Sequence, residues 1–293
     1  MNNNTCLVTV TFNSADFIDG FINSFVDLDE SIHLFIFDNS STDNTLEKIK
    51  KWDHPRIIVE VSETNLGVAA GNNAGINFAH RNLFEYICLI NNDTEFPKNI
   101  IEYLKKHLVN ADIVTPKIVY YDNCEIIWAA GGKYSFLKGG STIHIGDRKS
   151  FLDKRYNQYY YVKYTPTCCV MMRSELFKDL GNFDEAYFVY FDDTDFMIRA
   201  TRHKKTVLYC PEVTIKHKIS SSTGGNDSSF TLRYSVRNHI IYLRKNFNVL
   251  TRIPLMFMAI LFFIYKAVKI APHSSTKAGI IVKSFIEGTR FRI

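Results

Sequence analysis

Three groups of residues have types and spacings that could do chemistry. The first is Asn91-Asn92-Asp93, which follows the apolar run Tyr86-Ile87-Cys88-Leu89-Ile90 without a spacer. A hard divalent cation takes oxygen ligands, and Mg²⁺ commonly uses one or two carboxylates together with substrate phosphates. Asp93 is therefore the leading metal candidate, with Asn91 and Asn92 able to accept or donate at a sugar hydroxyl. The second group is "YFDDTDFMIRA" (190–200), which puts Asp192, Asp193 and Asp195 within four residues beside a dense aromatic stretch. Crowded carboxylates raise one another's pKa, which suits a general base. The alternative is that Asp192 or Asp193 caps the helix that follows, with Arg199 restraining Asp195 four residues on. The third is His217, which ends a strand-like run before the Gly-containing stretch "KISSSTGG". A single His is usually structural; the polar, Gly-containing stretch after it adds the readings of a third metal ligand or the start of a lid.

Alternating elements must position these groups. Runs 6–12, 32–38, 56–62 and 84–90 have strand character, and helical periodicity lies between them, as over Phe17, Ile18, Phe21, Ile22 and Phe25. This alternation predicts βαβ units and a parallel sheet. Ligands of such open sheets bind at the carboxyl ends of strands. Polar clusters follow three of these ends, at Thr11 and Asn13, at Asp38 to Ser41, and at Asn91 to Asp93. Any one of them could be a turn; three at equivalent positions point to a shared crevice. "TNLGVAAGNNAGINFAHRN" reads as a glycine-bearing loop running into a helix, with Gly67, Gly71 and Gly75 of the loop letting backbone approach a phosphate or nucleoside. Its spacing matches neither G-x-G-x-x-G nor a P-loop, so those nucleotide motifs are excluded. Beyond residue 97 the pattern predicts a mixed extension of the sheet: an aromatic edge strand near 159–164, a buried segment after Pro166, and two strands within "KTVLYCPEVTIKHKIS".

The chain has 293 residues, 46% hydrophobic and 22% charged, with six cysteines and no C-x-x-C pair. Met1-Asn2-Asn3-Asn4 leads directly into the first strand. Reduced, buried thiols in a cytoplasmic protein are expected. Net charge is +5, but residues from Thr231 to Ile293 hold eleven Lys/Arg and one acid, leaving −5 on the first 230. A basic tail of this kind suggests an anionic partner. No nucleic-acid-binding module is recognisable, so nucleic acid is not expected. The tail's most apolar run, Ile253–Tyr265, has thirteen residues, short of the roughly 20 of a bilayer span. It reads as a buried core helix or as an interfacial helix whose Arg252, Lys266 and Lys269 meet anionic lipid.

Taken in order, "VTFN", "DNSSTDNT", "NLGVAAGNNAG", "LINNDTE", "GNFDEAYFVYFDDTDFMIRA" and a His followed by "SSS" resemble the family 2 glycosyltransferases, inverting enzymes of the GT-A fold. The likeness is strongest to the rhamnosyltransferase-like branch of bacterial surface polysaccharide assembly, and it covers about residues 5–245. It implies an α/β, Rossmann-like three-layer sandwich with a mixed, mainly parallel sheet and a C-terminal helical tail. The catalytic domain would span 1–225, with a nucleotide-sugar half (1–95) and an acceptor half (96–225), and 226–293 would form the membrane-associating tail. By position, Asp93 and His217 would hold Mg²⁺ or Mn²⁺ on the donor diphosphate. Thr11, Asn13, Asp38, Asn65, Gly67, Asn73, Asn91, Asn92 and Arg237 would contact the donor. Asp193 would be the catalytic base, with Asp192 at the position of the family's Glu. Asn91 replaces the first Asp of the family's D-x-D. The implied donor is dTDP-L-rhamnose, then UDP-hexoses. The acceptor is a glycan or lipid-linked oligosaccharide at the inner face of the plasma membrane. The contrasting hypothesis is a non-catalytic sugar-nucleotide-binding or glycan-binding subunit of an assembly complex.

Overall fold

The computed structural model describes residues 4–218 and 228–293. The lid expected after His217 falls on 219–227 and lies outside the described residues. The first half alternates as expected: β1 (Thr5–Thr11), α1 (Ile18–Val26), β2 (Ile32–Asp38), α2 (Thr45–Lys51), β3 (Ile57–Val61), α3 (Gly67–Arg81) and β4 (Tyr86–Ile90). Then come β5 (Thr94–Glu95), α4 (Ile100–His107), β6 (Ile113–Tyr120), β7 (Ile127–Ala129), β8 (Gly132–Ser135), β9 (Ser141–His144), β10 (Tyr160–Val162) and β11 (Cys169–Arg173). The chain closes with α5 (Leu176–Leu180), α6 (Asp192–Arg202), β12 (Val207–His217), α7 (Ser229–Asn246), α8 (Val249–Ile270) and α9 (Ser275–Arg290).

The main sheet has the order β10-β12-β6-β11-β4-β1-β2-β3, with β5 added to β12 and β7 to β6. It is mixed and mostly parallel: β3, β2, β1 and β4 run together, β11 runs against β4 and β6, and β12 is parallel to β6. Alternating residues of the inner strands feed two cores. Leu7, Leu34 and Cys88 pack with Phe21, Phe25 and Leu104 on one face, and Val8, Phe35 and Leu89 pack with Ile76 and Phe196 on the other. Such two-sided burial explains why these strands are apolar throughout. The geometry brings the carboxyl ends of β1, β2, β4 and β12 to one edge, where Thr11, Asp38, Asn91 to Asp93 and His217 sit.

Two elements differ from expectation. The glycine-bearing stretch is helix from Gly67 onward, and its glycines serve close packing. A Cβ on Gly75 would lie 2.2 Å from Val8 Cγ1, and one on Gly71 2.7 Å from Val10 Cγ2. Spaced four apart, they form the face that seats α3 on β1. The two strands expected at 205–220 are one strand, β12, with its register against β6 shifted between Cys210 and Thr214. Pro211, which cannot donate to a ladder, falls in that bulge. Of the cysteines, five are buried and Cys124 is exposed.

The tail forms a third apolar cluster, in which Leu232, Ile240 and Leu243 of α7 meet Leu255, Ala259 and Phe263 of α8, Ile281 of α9, and Tyr187 of the body. α8 runs for 22 residues, long and apolar enough to cross a membrane by length and composition, and only its Leu255, Ala259 and Phe263 are buried. The thirteen-residue apolar run understated it because the helix continues through Arg252, Lys266 and Lys269.

Candidate active site

Asp93 and His217 meet where β4 and β12 end. His217 pairs with Thr94 across β5, and the Lys218 amide donates to the Asp93 carbonyl (2.9 Å), fixing both backbones. His217 Nε2 lies 3.2 Å from Asp93 Oδ1, and both side chains are buried. Burial alone would pull the imidazole pKa down; Cys168 and Asp93 outweigh it and hold His217 up to about 10. Among the described residues no group of three or more His, Cys, Asp and Glu gathers to hold a metal. The pair offers one oxygen and, once a cation displaces the imidazolium proton, one nitrogen, a donor set that fits two positions of a divalent cation whose remaining ligands come from a substrate diphosphate.

Beside this junction a cavity of about 380 Å³ opens between β1, the start of α3 and the 188–189 segment. Thr11, Asn39, Asn65, Gly67 and Asn92 supply polar lining, and Phe12, Phe188 and Phe230 supply apolar lining. Asn92 Nδ2 donates to the Val10 carbonyl (2.5 Å), which anchors the residue next to Asp93. Gly67 has φ +87°, and a Cβ there would stand 2.3 Å from the Phe188 carbonyl, to which the Val68 amide donates. Only glycine permits this approach. Phe188, Tyr190 and Phe191 all have positive φ, at 59°, 61° and 68°. Such strain persists where the surroundings over-determine it; here it sits directly before Asp192.

Other expected donor contacts have their side chains committed within the fold. Asp38 is fully buried and accepts from Thr11 Oγ1 (2.7 Å), Ser41 Oγ (2.6 Å) and the Ser41 amide (2.8 Å). Asn13 Oδ1 accepts from the Thr42 amide (2.8 Å). Asn73 donates to the Phe183 carbonyl (2.9 Å) and Glu185 Oε1 (2.8 Å) and accepts from the Phe183 amide (2.9 Å), tying α3 to the loop before Asp192. Asn91 uses its backbone, donating to the Cys168 carbonyl (3.0 Å) and accepting from Thr94 Oγ1 (2.7 Å). Arg237 takes a partner set that its sequence position did not suggest. Its Nε lies 3.1 Å from Glu287 Oε1, it donates to the Ala186 carbonyl, and it stacks over Phe291, so α9 holds it.

The acid cluster opens α6, whose N-cap, Phe191, makes no side-chain capping bond. Its three carboxylates have different neighbours. Asp195 accepts from Arg199 Nε (2.8 Å), Tyr187 (3.1 Å) and Asn246 (2.6 Å), a structural tie that includes the expected i,i+4 pair. Asp193 Oδ2 accepts from the Tyr164 hydroxyl (2.5 Å), and Oδ1 from the Thr194 amide (2.6 Å) and hydroxyl (3.2 Å). Burial and the adjacent Asp193 charge push Asp192 up to about 8. Burial also raises Asp193, but donors from Tyr164 and Thr194 oppose it. The donors therefore favour charge on Asp193 and leave the proton on Asp192.

A run of rings joins the two acid centres. Trp128 packs against His217 (4.5 Å between centroids) and His144 (4.3 Å), and His144 stacks with Tyr164 at 6.2 Å and 13°. Sequence reasoning missed Tyr164 and Trp128. Tyr164 meets a carboxylate 29 positions away, and no local spacing encodes that contact.

Residues 6–181 match the model of the glycosyl transferase family 2. The chain is 24% identical to the dTDP-rhamnosyl transferase RfbF of Shigella flexneri over 262 residues, 84% of this chain and 82% of that protein. It is 24% identical over 210 residues to the low-salt glycan biosynthesis hexosyltransferase Agl10 of Haloferax volcanii (70% of this chain, 65% of that protein). Among solved structures, S. aureus TarS 1-349 in complex with UDP-GlcNAc superposes with a TM-score of 0.59 at 16% identity, over 97% of this chain and 81% of that one. GalNAc-T7 with UDP, GalNAc and Mn²⁺ gives 0.64 at 15% identity, over 82% of this chain but 47% of that one. These structural likenesses bear on the fold, which is the GT-A architecture.

Proposed function

The chain belongs to the glycosyl transferase family 2, and from that premise we propose that it is an inverting hexosyltransferase that moves a sugar from a nucleotide-diphosphate donor to a glycan hydroxyl. The observation that carries the reading is the division of labour in the Asp192–Asp193 pair, which begins within four residues of Phe188 and Val189 in the wall of a cavity of about 380 Å³. Asp193, held as carboxylate, accepts the proton of the acceptor hydroxyl while that oxygen attacks the anomeric carbon opposite the departing nucleoside diphosphate. A positioned base of this kind contributes about 10²–10⁴-fold. Asp93 and His217 would hold a Mg²⁺ or Mn²⁺ ion, which supplies Lewis-acid neutralisation of the diphosphate. Thr11, Asn65 and Asn92 would line the nucleoside site, while Asp38, Asn13 and Asn73 hold its walls in place. Relatives acting on dTDP-rhamnose and in glycan assembly support dTDP-L-rhamnose as first donor, then UDP-hexoses, with a lipid-linked glycan acceptor in surface polysaccharide synthesis.

The tail supports location on a membrane surface. Leu250, Ile253, Phe257, Leu261, Ile264 and Val268 of α8 are all exposed and recur at helical spacing. The opposite face, Leu255, Ala259 and Phe263, packs inward. A helix with one face bound to protein and a basic surround suits lying along an anionic leaflet.

The test is nucleotide release from dTDP-L-rhamnose and UDP-hexoses with Mn²⁺, followed by product analysis with lipid-linked glycan. Release from one donor supports catalysis; tight binding of every donor without release would favour the non-catalytic alternative.

A further inference from the structure

The rigidity around Tyr164 exceeds what packing one tyrosine requires. Its ring is buried and stacked on His144, and its amide donates to the Gly132 carbonyl at 3.2 Å. A Cβ on Gly132 would stand 2.4 Å from Tyr164 Cδ1, so the ring occupies space that only a glycine leaves open. Thr142 also faces the phenol, which keeps its own proton. That proton goes to Asp193 Oδ2, at 2.5 Å. Gly132, Thr142 and His144 all belong to the β8–β9 hairpin.

We propose that Tyr164 is the positioning residue of the proton acceptor: clamped by the β8–β9 hairpin, its phenol fixes the Asp193 carboxylate and makes Asp193, rather than Asp192, the group that receives the acceptor's proton. This rests on the glycosyltransferase reading and deepens it. Tyr164 does not transfer a proton. Burial beside Asp193 holds its own pKa far above the working range, so it remains a donor throughout. The other groups facing Asp193 do not substitute for it. Asp192 is a second carboxyl that repels Asp193 whenever both are charged, and the Tyr134 hydroxyl of β8 is buried without a hydrogen-bond partner. Asp195 and Arg199 are committed to each other, and Arg202 bonds Asn246. Thr194 supports Oδ1 only. Burial pulls His144, behind the phenol, down to about 4, so it adds no charge at neutral pH.

The sign follows from the bond. A donor to the charged form lowers the carboxyl pKa, and a base works only when deprotonated. In Tyr164→Phe the acidic limb of kcat should move to higher pH by about one to two units, the size of a hydrogen bond to a charged group. At pH values below the wild-type limb kcat should fall by the matching factor, roughly 10–100-fold, with donor KM unchanged within about twofold. The experiment compares pH profiles of nucleotide release from dTDP-L-rhamnose and UDP-glucose with Mn²⁺, for the wild type and for this variant. If Tyr164→Phe melts below the assay temperature, Gly132→Ala, which displaces the ring but keeps the phenol, should move the limb the same way. Turnover with an unmoved limb, or a fall in kcat at all pH values alike, would overturn the inference alone. A wild type that releases no nucleotide from any donor would overturn the glycosyltransferase reading, and this inference with it.

Discussion

His217 Nε2 lies 3.2 Å from Asp93 Oδ1, so a residue that ends β12 meets one that follows β4 at the carboxyl-end edge of the sheet. Neither can leave without stranding the other in a buried site. Asp93→Ala is therefore expected to weaken metal-dependent nucleotide binding at least about tenfold. Calorimetric titration of dTDP and UDP with and without Mn²⁺ measures it; equal affinity in both proteins would remove Asp93 from the metal site.

Asp193→Asn should leave nucleotide affinity intact while turnover falls at least about 100-fold. The amide preserves the volume and the Tyr164 contact but cannot take up a proton. Retained turnover in this variant would move the base elsewhere, with Asp192 next to be tested.

Asp192 carries a pH signature in stability. Its pKa is raised on folding from 3.8 to about 8. Its contribution is complete below about pH 4 and is lost as pH rises through 8, because the folded state disfavours its charge. Asp192→Asn should flatten the melting temperature across this window and gain relative to wild type toward pH 9. Parallel melting curves at all pH values would show that this carboxyl is not protonated in the fold.

The glycine face of α3 can be separated from glycine content in general. Gly75→Ala would drive a methyl into Val8 and should cost roughly 1–3 kcal/mol, a melting-point loss of several degrees. Gly279→Ala in α9 meets nothing within 4 Å and should be neutral or stabilising. Thermal scans of both variants check this; equal shifts would contradict the close helix–strand approach.

On α8, Phe257→Asp and Leu261→Asp alter only the outward stripe. Flotation with vesicles rich in anionic lipid should fall several-fold for the pair, with nucleotide release unchanged. Flotation equal to wild type would assign the stripe to another partner.

The shared edge of strand ends was legible because apolar runs ending in Thr11, Asp38 and Asn91 to Asp93 mark where buried strands emerge. His217 was legible for the same reason. The start of α3 at Gly67 was not: Gly67, Gly71 and Gly75 among asparagines have loop-like propensity, and tertiary packing on Val8 and Val10 overrides it. Their spacing of four was the available signal. Arg237 and Tyr164 depend on Glu287 and Asp193, partners 50 and 29 positions away, which no local pattern carries.

The turn of the β8–β9 hairpin rests on the C-terminal helices. His239 Nε2 bonds the Gly139 carbonyl at 2.8 Å, and a Cβ on Gly139 would stand 2.6 Å from that of Ala259. The same hairpin clamps Tyr164, while the outer side of α8, about one helix diameter of roughly 10 Å away, is the greasy stripe. Deleting the tail would thus undercut the foundation of the acid pocket as well as the anchor. Shortened forms would confuse a lost foothold on lipid with a collapsed wall, which only single-residue changes on the outer stripe can tell apart.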